Sequence, residues 1–267
     1  MAWLFAEYGN MEGKKMAEQI SSSGSKDVDN GAPRADQPGN FAPHSRNEIS
    51  GLDALVFDFD GLIVNTELPG FVSWSELYQR FGATLTMDDW RHATGYVNAF
   101  DPGVHLENLL GRKLNWAELM PGREARNWEL TLHAFTLPGI ERLITMAKKA
   151  NLPVAVASNS DYGWVDGGLN RLGLRHWIDA VVTRDMVVNP KPAPDVYLKA
   201  AQTIGVAPER TVALEDSEPG YRAAKNAGMK AVVIPNEFSI RQDLSAADLI
   251  VRSAEDLDLK RLNALFA

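Results

Sequence analysis

The chain has 267 residues, of which 45% are hydrophobic, and 27 Lys and Arg against 35 Asp and Glu give it a net charge of -8. This length and apolar content suffice for one substantial core and a smaller second one. The negative charge disfavours nucleic acid and anionic membranes as partners. The absence of cysteine excludes disulfides, thiolate metal sites and cysteine nucleophiles. Any bound metal is therefore expected to have oxygen or imidazole ligands.

The N-terminal part of the chain has the composition of a disordered extension. Between positions 21 and 50, 18 of 30 residues are Ser, Gly, Pro, Asn or Asp, and such a stretch buries too little apolar surface to order itself. We therefore predict that residues 1–50 form a disordered extension. No apolar run reaches the roughly 18 residues that a transmembrane helix needs. The expectation is a soluble, cytoplasmic protein.

Beyond residue 50, short apolar runs alternate with helical patterns. The runs lack the period-two alternation of half-exposed strands, which is typical of strands buried on both faces. Between them lie patterns such as Ile140, Leu143, Ile144 and Ala147, spaced as on one face of a helix. The sequence predicts an α/β fold, a doubly wound, Rossmann-like parallel sheet. Its strands are predicted at 54–57, 153–157, 180–183, 211–214, 230–234 and 249–251.

One interval after the first predicted strand interrupts this alternation. No strand pattern occurs from about residue 67 to 135, while Phe71, Trp74, Tyr78 and Phe81 form a helical stripe that ends at Gly82. We predict a helical cap at 68–135, inserted into a catalytic core made of residues 51–67 and 136–267. An insert at this point would lie over the carboxyl edge of the sheet. A helical embellishment packed on one face is the alternative.

Polar residues follow several of the predicted strands, where parallel sheets bind their ligands. Each one alone is also typical of turns and helix caps, but their convergence at one sheet edge predicts a functional site. The residues are Asp58, Asp60 and Gly61 after the first strand, Ser158 and Asn159 after the second, Lys191 in a proline-rich loop after the third, and Glu215 and Asp216 after the fourth.

The same residues lie in four segments that resemble a known family. VFDFDGLIVNTE, AVASNS, NPKPAPDVYLKAA and ALEDSEPGYRAAKNAGM are similar to the four signature motifs of the haloacid dehalogenase superfamily, in family order. They resemble most the beta-phosphoglucomutase-like phosphatase branch, which carries a helical cap. The resemblance spans residues 53–258, and it is specific for the superfamily but much less so for the substrate.

This resemblance implies a role for each motif residue in phosphoryl transfer. Asp58 would be the nucleophile that becomes an aspartyl phosphate, and Asp60 the general acid that protonates the leaving oxygen and then activates water. The implied metal is Mg²⁺, which suits an acidic site of oxygen ligands. Its ligands would be Asp58, the backbone carbonyl of Asp60, Asp216 and, from the outer shell, Glu215. The implied phosphate-binding residues are Ser158, Asn159, Lys191 and Gly61, with Lys191 also pairing with Asp58.

These residues predict a magnesium-dependent phosphatase that hydrolyses a small phosphorylated metabolite, a sugar phosphate or a similar monoester. A beta-phosphoglucomutase-type mutase is the alternative, although Gly70 stands where those mutases carry a histidine and Asn98 where they carry a phosphate-gripping arginine. A catalytically silent binding protein is a third possibility. Dehalogenases of this fold lack an acid at the position of Asp60. Candidates for substrate selection are Trp74, Arg91, His92, Tyr96, Asn98 and His105.

Overall fold

The structure, a computed structural model, describes residues 51–91 and 100–267. Within these residues one sheet has six parallel strands in the order β3-β2-β1-β4-β5-β6. The strands are β1 (Ala54–Phe57), β2 (Val154–Ser158), β3 (Ala180–Thr183), β4 (Thr211–Glu215), β5 (Lys230–Val233) and β6 (Leu249–Ile250). The prediction of a doubly wound parallel sheet is confirmed, and each predicted strand end lies within one residue of the observed one. The predicted disordered extension, residues 1–50, lies outside the described residues, as do His92, Tyr96 and Asn98.

Apolar residues of the central strands alternate between two buried clusters, one on each face of the sheet. In β1, Leu55 and Phe57 belong to the first cluster and Val56 to the second. The helices that supply side chains to the first cluster are α5 (Ile140–Lys149), α6 (Tyr162–Arg171) and α9 (Leu259–Asn263), and those of the second are α7 (Asp195–Ile204) and α8 (Glu218–Asn226). Because helices cover both faces of the sheet, the central strands have continuously apolar sequences.

Four helices lie between β1 and α5 in the described residues. They are α1 (Glu67–Arg80), α2 (Met87–Arg91), α3 (Pro102–Leu110) and α4 (Trp116–Leu132). Their predicted stripe is largely buried, since Phe71, Trp74 and Tyr78 belong to a third apolar cluster. Phe238, from the loop after β5, joins this cluster and lies 6.1 Å from Phe71 between ring centroids. We refer to residues 67–91 and 100–132 as the helical segment, and its assignment as a separate cap domain stays a prediction.

The strand order determines where the polar residues meet. β1 lies between β2 and β4, so the chain reverses its winding direction at β1, and a parallel sheet binds ligands outside the carboxyl ends of its strands at such a point. Register pairs Phe57 with Val156 on one side and with Leu214 on the other. Residues that follow these three strands are therefore brought to one crevice.

Candidate active site

Three carboxylates form a buried cluster at this crevice. Asp58, Glu215 and Asp216 each offer an oxygen within 4.8 Å of the others, and none is more than 6% exposed. Asp58 is positioned by the sheet itself, since its backbone N–H donates to the carbonyl of Leu214 at 2.9 Å. Such a cluster of oxygen ligands has the composition of a site for a hard divalent cation.

An ammonium group, that of Lys191, contacts two of these carboxylates and is 4% exposed. Its Nζ donates to Asp58 Oδ1 at 2.5 Å, to Glu215 Oε1 at 2.6 Å and to the carbonyl of Ala157 at 2.8 Å. A lysine ammonium has three N–H donors, so all three are used. The side chain of Asn159 fixes the loop by accepting from the Lys191 backbone N–H at 2.8 Å and donating to its carbonyl at 3.3 Å.

Glu215 is surrounded by hydrogen-bond donors on both oxygens. Oε1 accepts from Lys191 and from the Tyr197 hydroxyl, and Oε2 accepts from the Asp216 backbone N–H at 3.2 Å and the Ser217 hydroxyl at 3.4 Å. A Cβ on Gly220 would lie 2.0 Å from Oε2, so a glycine is needed where α8 begins. Glu215 therefore holds Lys191 in place, and the outer-shell metal role predicted for it stays a prediction.

The charges of this cluster are unbalanced. Burial raises the pKa of Asp58 to about 8, with Lys191 opposing the shift and Glu215 reinforcing it. Burial, together with Asp58 and Glu215, raises the pKa of Asp216 well above its usual range. Burial alone would lower the pKa of Lys191, but the carboxylates of Asp58 and Glu215 hold it above its usual value. Three buried carboxylates with one ammonium require a further cation if all are to be ionised.

Gly61 allows Asp216 to approach the end of β1. Its φ is +82°, and a Cβ there would lie 2.3 Å from Asp216 Oδ2. Asn236 Nδ2 donates to the same Oδ2 at 2.7 Å. The Gly61 N–H donates to the carbonyl of Val64 at 2.9 Å, so in this structure it is used within its own turn. The phosphate-binding role predicted for Gly61 stays a prediction.

The side chain of Asp60 receives four hydrogen bonds. Oδ1 accepts from Thr66 Oγ1 and Trp164 Nε1, both at 2.8 Å. Oδ2 accepts from Ser160 Oγ at 2.6 Å and from Ser158 Oγ at 3.3 Å. The structure therefore places the predicted residue Ser158 against Asp60. It also brings Thr66, Ser160 and Trp164 to the site, which the sequence analysis did not identify.

The electrostatic role of Lys191 predicts a large loss of stability on its removal. We expect Lys191→Met to lower the free energy of unfolding by about 3–5 kcal/mol, because it leaves buried carboxylates without their counter-ion. The measurement is urea unfolding at pH 8 with EDTA. Lys148→Met is the control, since Lys148 bonds the partly exposed Asp179 at 2.6 Å and should cost at most about 1 kcal/mol. Equal effects of the two variants would contradict this account.

Comparison with known proteins identifies the family. The sequence profile of haloacid dehalogenase-like hydrolases matches residues 55–234, which is more than half of the chain and includes every residue of the site described above except Asn236. The chain belongs to the haloacid dehalogenase-like hydrolase family. Both the resemblance found in the sequence and the expectation of a hydrolase of this family are confirmed.

Individual members of the haloacid dehalogenase-like family are similar over most of their length. Fructose-1-phosphate phosphatase YqaB of Escherichia coli is 33% identical over 67% of this chain and 94% of its own. Beta-phosphoglucomutase of Bacillus subtilis is 30% identical over 79% of this chain and 94% of its own. The crystal structure of CbbY from Rhodobacter sphaeroides in complex with phosphate is 28% identical, covers 77% of this chain and 96% of that one, and has a TM-score of 0.63.

The three candidates for substrate selection that the structure describes all contact other residues of this haloacid dehalogenase-like protein. Trp74 is buried against Trp116 and Arg123. His105 contacts the Tyr78 hydroxyl at 3.0 Å. Arg91 donates from Nε to the carbonyl of Glu237 at 3.3 Å. A role for these three in substrate selection stays a prediction.

No helix of the described residues is long and apolar enough to span a membrane.

Proposed function

We propose that this protein is a magnesium-dependent phosphatase that hydrolyses a small phosphorylated metabolite, a sugar phosphate or a similar monoester, through an aspartyl phosphate at Asp58. The observation that carries the proposal is the buried cluster of Asp58, Asp216 and Lys191 at the reversal point of the sheet. The name of YqaB, a fructose-1-phosphate phosphatase, supports the substrate class. We further propose a soluble, cytoplasmic enzyme with no nucleic-acid or membrane partner.

The residues present fit a magnesium ion. The donor set consists of carboxylate and carbonyl oxygens, which Mg²⁺ prefers, and the Lys191 ammonium leaves an excess of negative charge among the buried groups of the cluster. Asp58, Asp216 and the backbone carbonyl of Asp60 would hold the ion, with Glu215 acting from outside. When bound, the metal would offset the repulsion between a phosphate dianion and the Asp58 carboxylate.

In this proposal the protein's own groups carry out both chemical steps. An Asp58 oxygen attacks phosphorus while the bond to the leaving oxygen breaks, and Asp60 gives that oxygen its proton. In the second step Asp60 takes a proton from water, which attacks phosphorus and releases phosphate from Asp58. Lys191 keeps Asp58 oriented and offsets negative charge, while Ser158 and Asn159 at the end of β2 would receive the phosphoryl oxygens.

One described residue, Gly70, supports a phosphatase reaction over a sugar phosphomutase reaction. Gly70 stands where the mutases carry a histidine that helps to select a sugar hydroxyl over water, and glycine has no side chain to do so. In this structure a Cβ on Gly70 would lie only 3.0 Å from Trp90 Cζ2, so the Trp90 ring takes up the adjacent space. The second distinguishing position, Asn98, lies outside the described residues.

The proposed function predicts phosphate release that depends on the metal. We expect steady-state hydrolysis of 4-nitrophenyl phosphate with Mg²⁺, loss of activity with excess EDTA, and recovery when Mg²⁺ is restored. A requirement for added sugar bisphosphate would instead favour the mutase. Full activity in EDTA would contradict the metal site, and no hydrolysis of any member of a panel of phosphorylated metabolites would favour a silent binding protein.

A further inference from the structure

The donors around Asp60 differ in what they can do. Thr66, Ser158 and Ser160 bond it through hydroxyl groups, and a hydroxyl can either donate or accept. Trp164 bonds Oδ1 through its indole N–H at 2.8 Å, and this group can only donate. Oδ1 is therefore held as an acceptor, and a proton placed on this oxygen would be repelled by the indole N–H, which cannot accept a hydrogen bond.

We propose that Trp164 is a positioning residue for the general acid, one that fixes the orientation of the Asp60 carboxyl and leaves Oδ2 as the oxygen that carries the proton. This inference rests on the proposed phosphatase function. Oδ2 lies 2.6 Å from Ser160 Oγ and 3.3 Å from Ser158 Oγ, and both hydroxyls can rotate to accept from a protonated oxygen. The proton on Oδ2 then passes to the leaving oxygen as the bond between phosphorus and that oxygen breaks and Asp58 bonds to phosphorus.

The surroundings of Trp164 suit a fixed support. It lies in the first turn of α6, where its backbone N–H donates to the Asp161 carbonyl at 3.1 Å, and its ring packs against the apolar cluster on one face of the sheet. The ring also meets Trp128 of α4, edge to face, at 5.7 Å between centroids. Contacts with the sheet on one side and with the helical segment on the other hold the indole ring in position. Loss of the N–H alone should therefore leave the ring in place.

The test removes the indole N–H and compares two substrates of similar shape. Phenyl phosphate needs a proton on its leaving oxygen, whereas 2,4-dinitrophenyl phosphate has a stable leaving anion and needs none. The quantity to compare is kcat/KM with Mg²⁺, because it reports steps up to formation of the phosphoryl-enzyme and is independent of its hydrolysis. We expect Trp164→Phe to lower kcat/KM for phenyl phosphate by roughly 10- to 100-fold, a range set by the strength of a hydrogen bond to a charged group. The kcat/KM for 2,4-dinitrophenyl phosphate should change by less than about twofold.

A matched control separates positioning from packing. Trp177 packs against the same apolar cluster, and Trp177→Phe should change neither substrate's kcat/KM. If Trp164→Phe does not fold, replacement of Trp164 by 3-benzothienylalanine keeps the ring shape and puts sulfur in place of the N–H. Equal losses for the two substrates, or no loss for phenyl phosphate, would overturn the proposal while the phosphatase function stands. A wild-type protein that hydrolyses neither ester would contradict both the positioning role of Trp164 and the proposed phosphatase function.

Discussion

Replacing Asp58 with asparagine is expected to lower phosphate release by at least about 10⁴-fold, because an amide cannot serve as the nucleophile that forms an acyl phosphate. The variant should nevertheless fold. The asparagine side chain has nearly the same size as that of aspartate, and the substitution removes one of three clustered buried carboxylates while Glu215 still pairs with the Lys191 ammonium. The measurements are steady-state phosphate release with Mg²⁺ and the melting temperature in EDTA, which we expect to be equal to or higher than that of the wild type.

A control carboxylate is available beside the site. Asp161 precedes α6, is largely exposed and pairs with Arg184 at 3.0 Å, so Asp161→Asn should keep activity within about twofold, as surface substitutions of this kind have small effects. Wild-type activity in purified Asp58→Asn protein would contradict the assignment of the nucleophile.

Replacing Asp60 with asparagine is expected to lower kcat/KM for phenyl phosphate by about 10² to 10⁴, the usual contribution of general acid-base catalysis. The amide has no proton to give to the leaving oxygen. Its NH₂ group is expected to lie at the Oδ2 position, where the hydroxyls of Ser158 and Ser160 can accept from it, because the indole N–H of Trp164 at the Oδ1 position can only donate. We expect a much smaller loss of kcat/KM with 2,4-dinitrophenyl phosphate as substrate.

The two substrates also give this prediction its control. A misfolded or metal-free variant would lose activity toward both esters equally, whereas loss of the acid should be selective for the ester with the poorer leaving group. An Asp60→Asn enzyme that hydrolyses phenyl phosphate at the wild-type rate would show that the leaving oxygen receives its proton elsewhere.

Much of the fold could be predicted from the sequence because strands buried on both faces leave an unambiguous pattern. The run 54–57 is apolar on both of its faces, and the structure places Leu55 and Phe57 in one apolar cluster and Val56 in the other. The polar residue directly after such a strand must lie at the carboxyl edge of the sheet, which is why Asp58, Ser158 and Glu215 could be predicted to approach one another.

The contacts that complete the site could not be predicted in the same way. Asn236 reaches Asp216 from a loop after β5, and Trp164 reaches Asp60 from the first turn of a helix. Neither residue belongs to a strand end or a periodic pattern, and each contact depends on how loops from distant parts of the chain cross the sheet edge. The sequence also assigned Asn159 to the phosphate alone, whereas the structure shows its amide holding the backbone of Lys191.

Gly220 illustrates a signal that was present but ambiguous. A glycine near the start of a helix is commonly taken as a weak helix former, yet here a side chain would collide with Glu215. Only the position of the Glu215 carboxylate against α8 reveals why the residue has to be small. Spacing along the chain determines neighbours within an element, and close approach between elements requires the structure.

The most direct test of this account is to locate the phosphoryl group on the enzyme during turnover. We expect rapid quenching after mixing with 2,4-dinitrophenyl phosphate and Mg²⁺, followed by hydroxylamine and peptide mass mapping, to find a hydroxamate at Asp58, because acyl phosphates react with hydroxylamine at the acyl carbon. The modification should be absent from Asp58→Asn protein. Modification of Asp60 or Asp216 instead, or continued turnover with Asp58 never modified, would contradict the central claim.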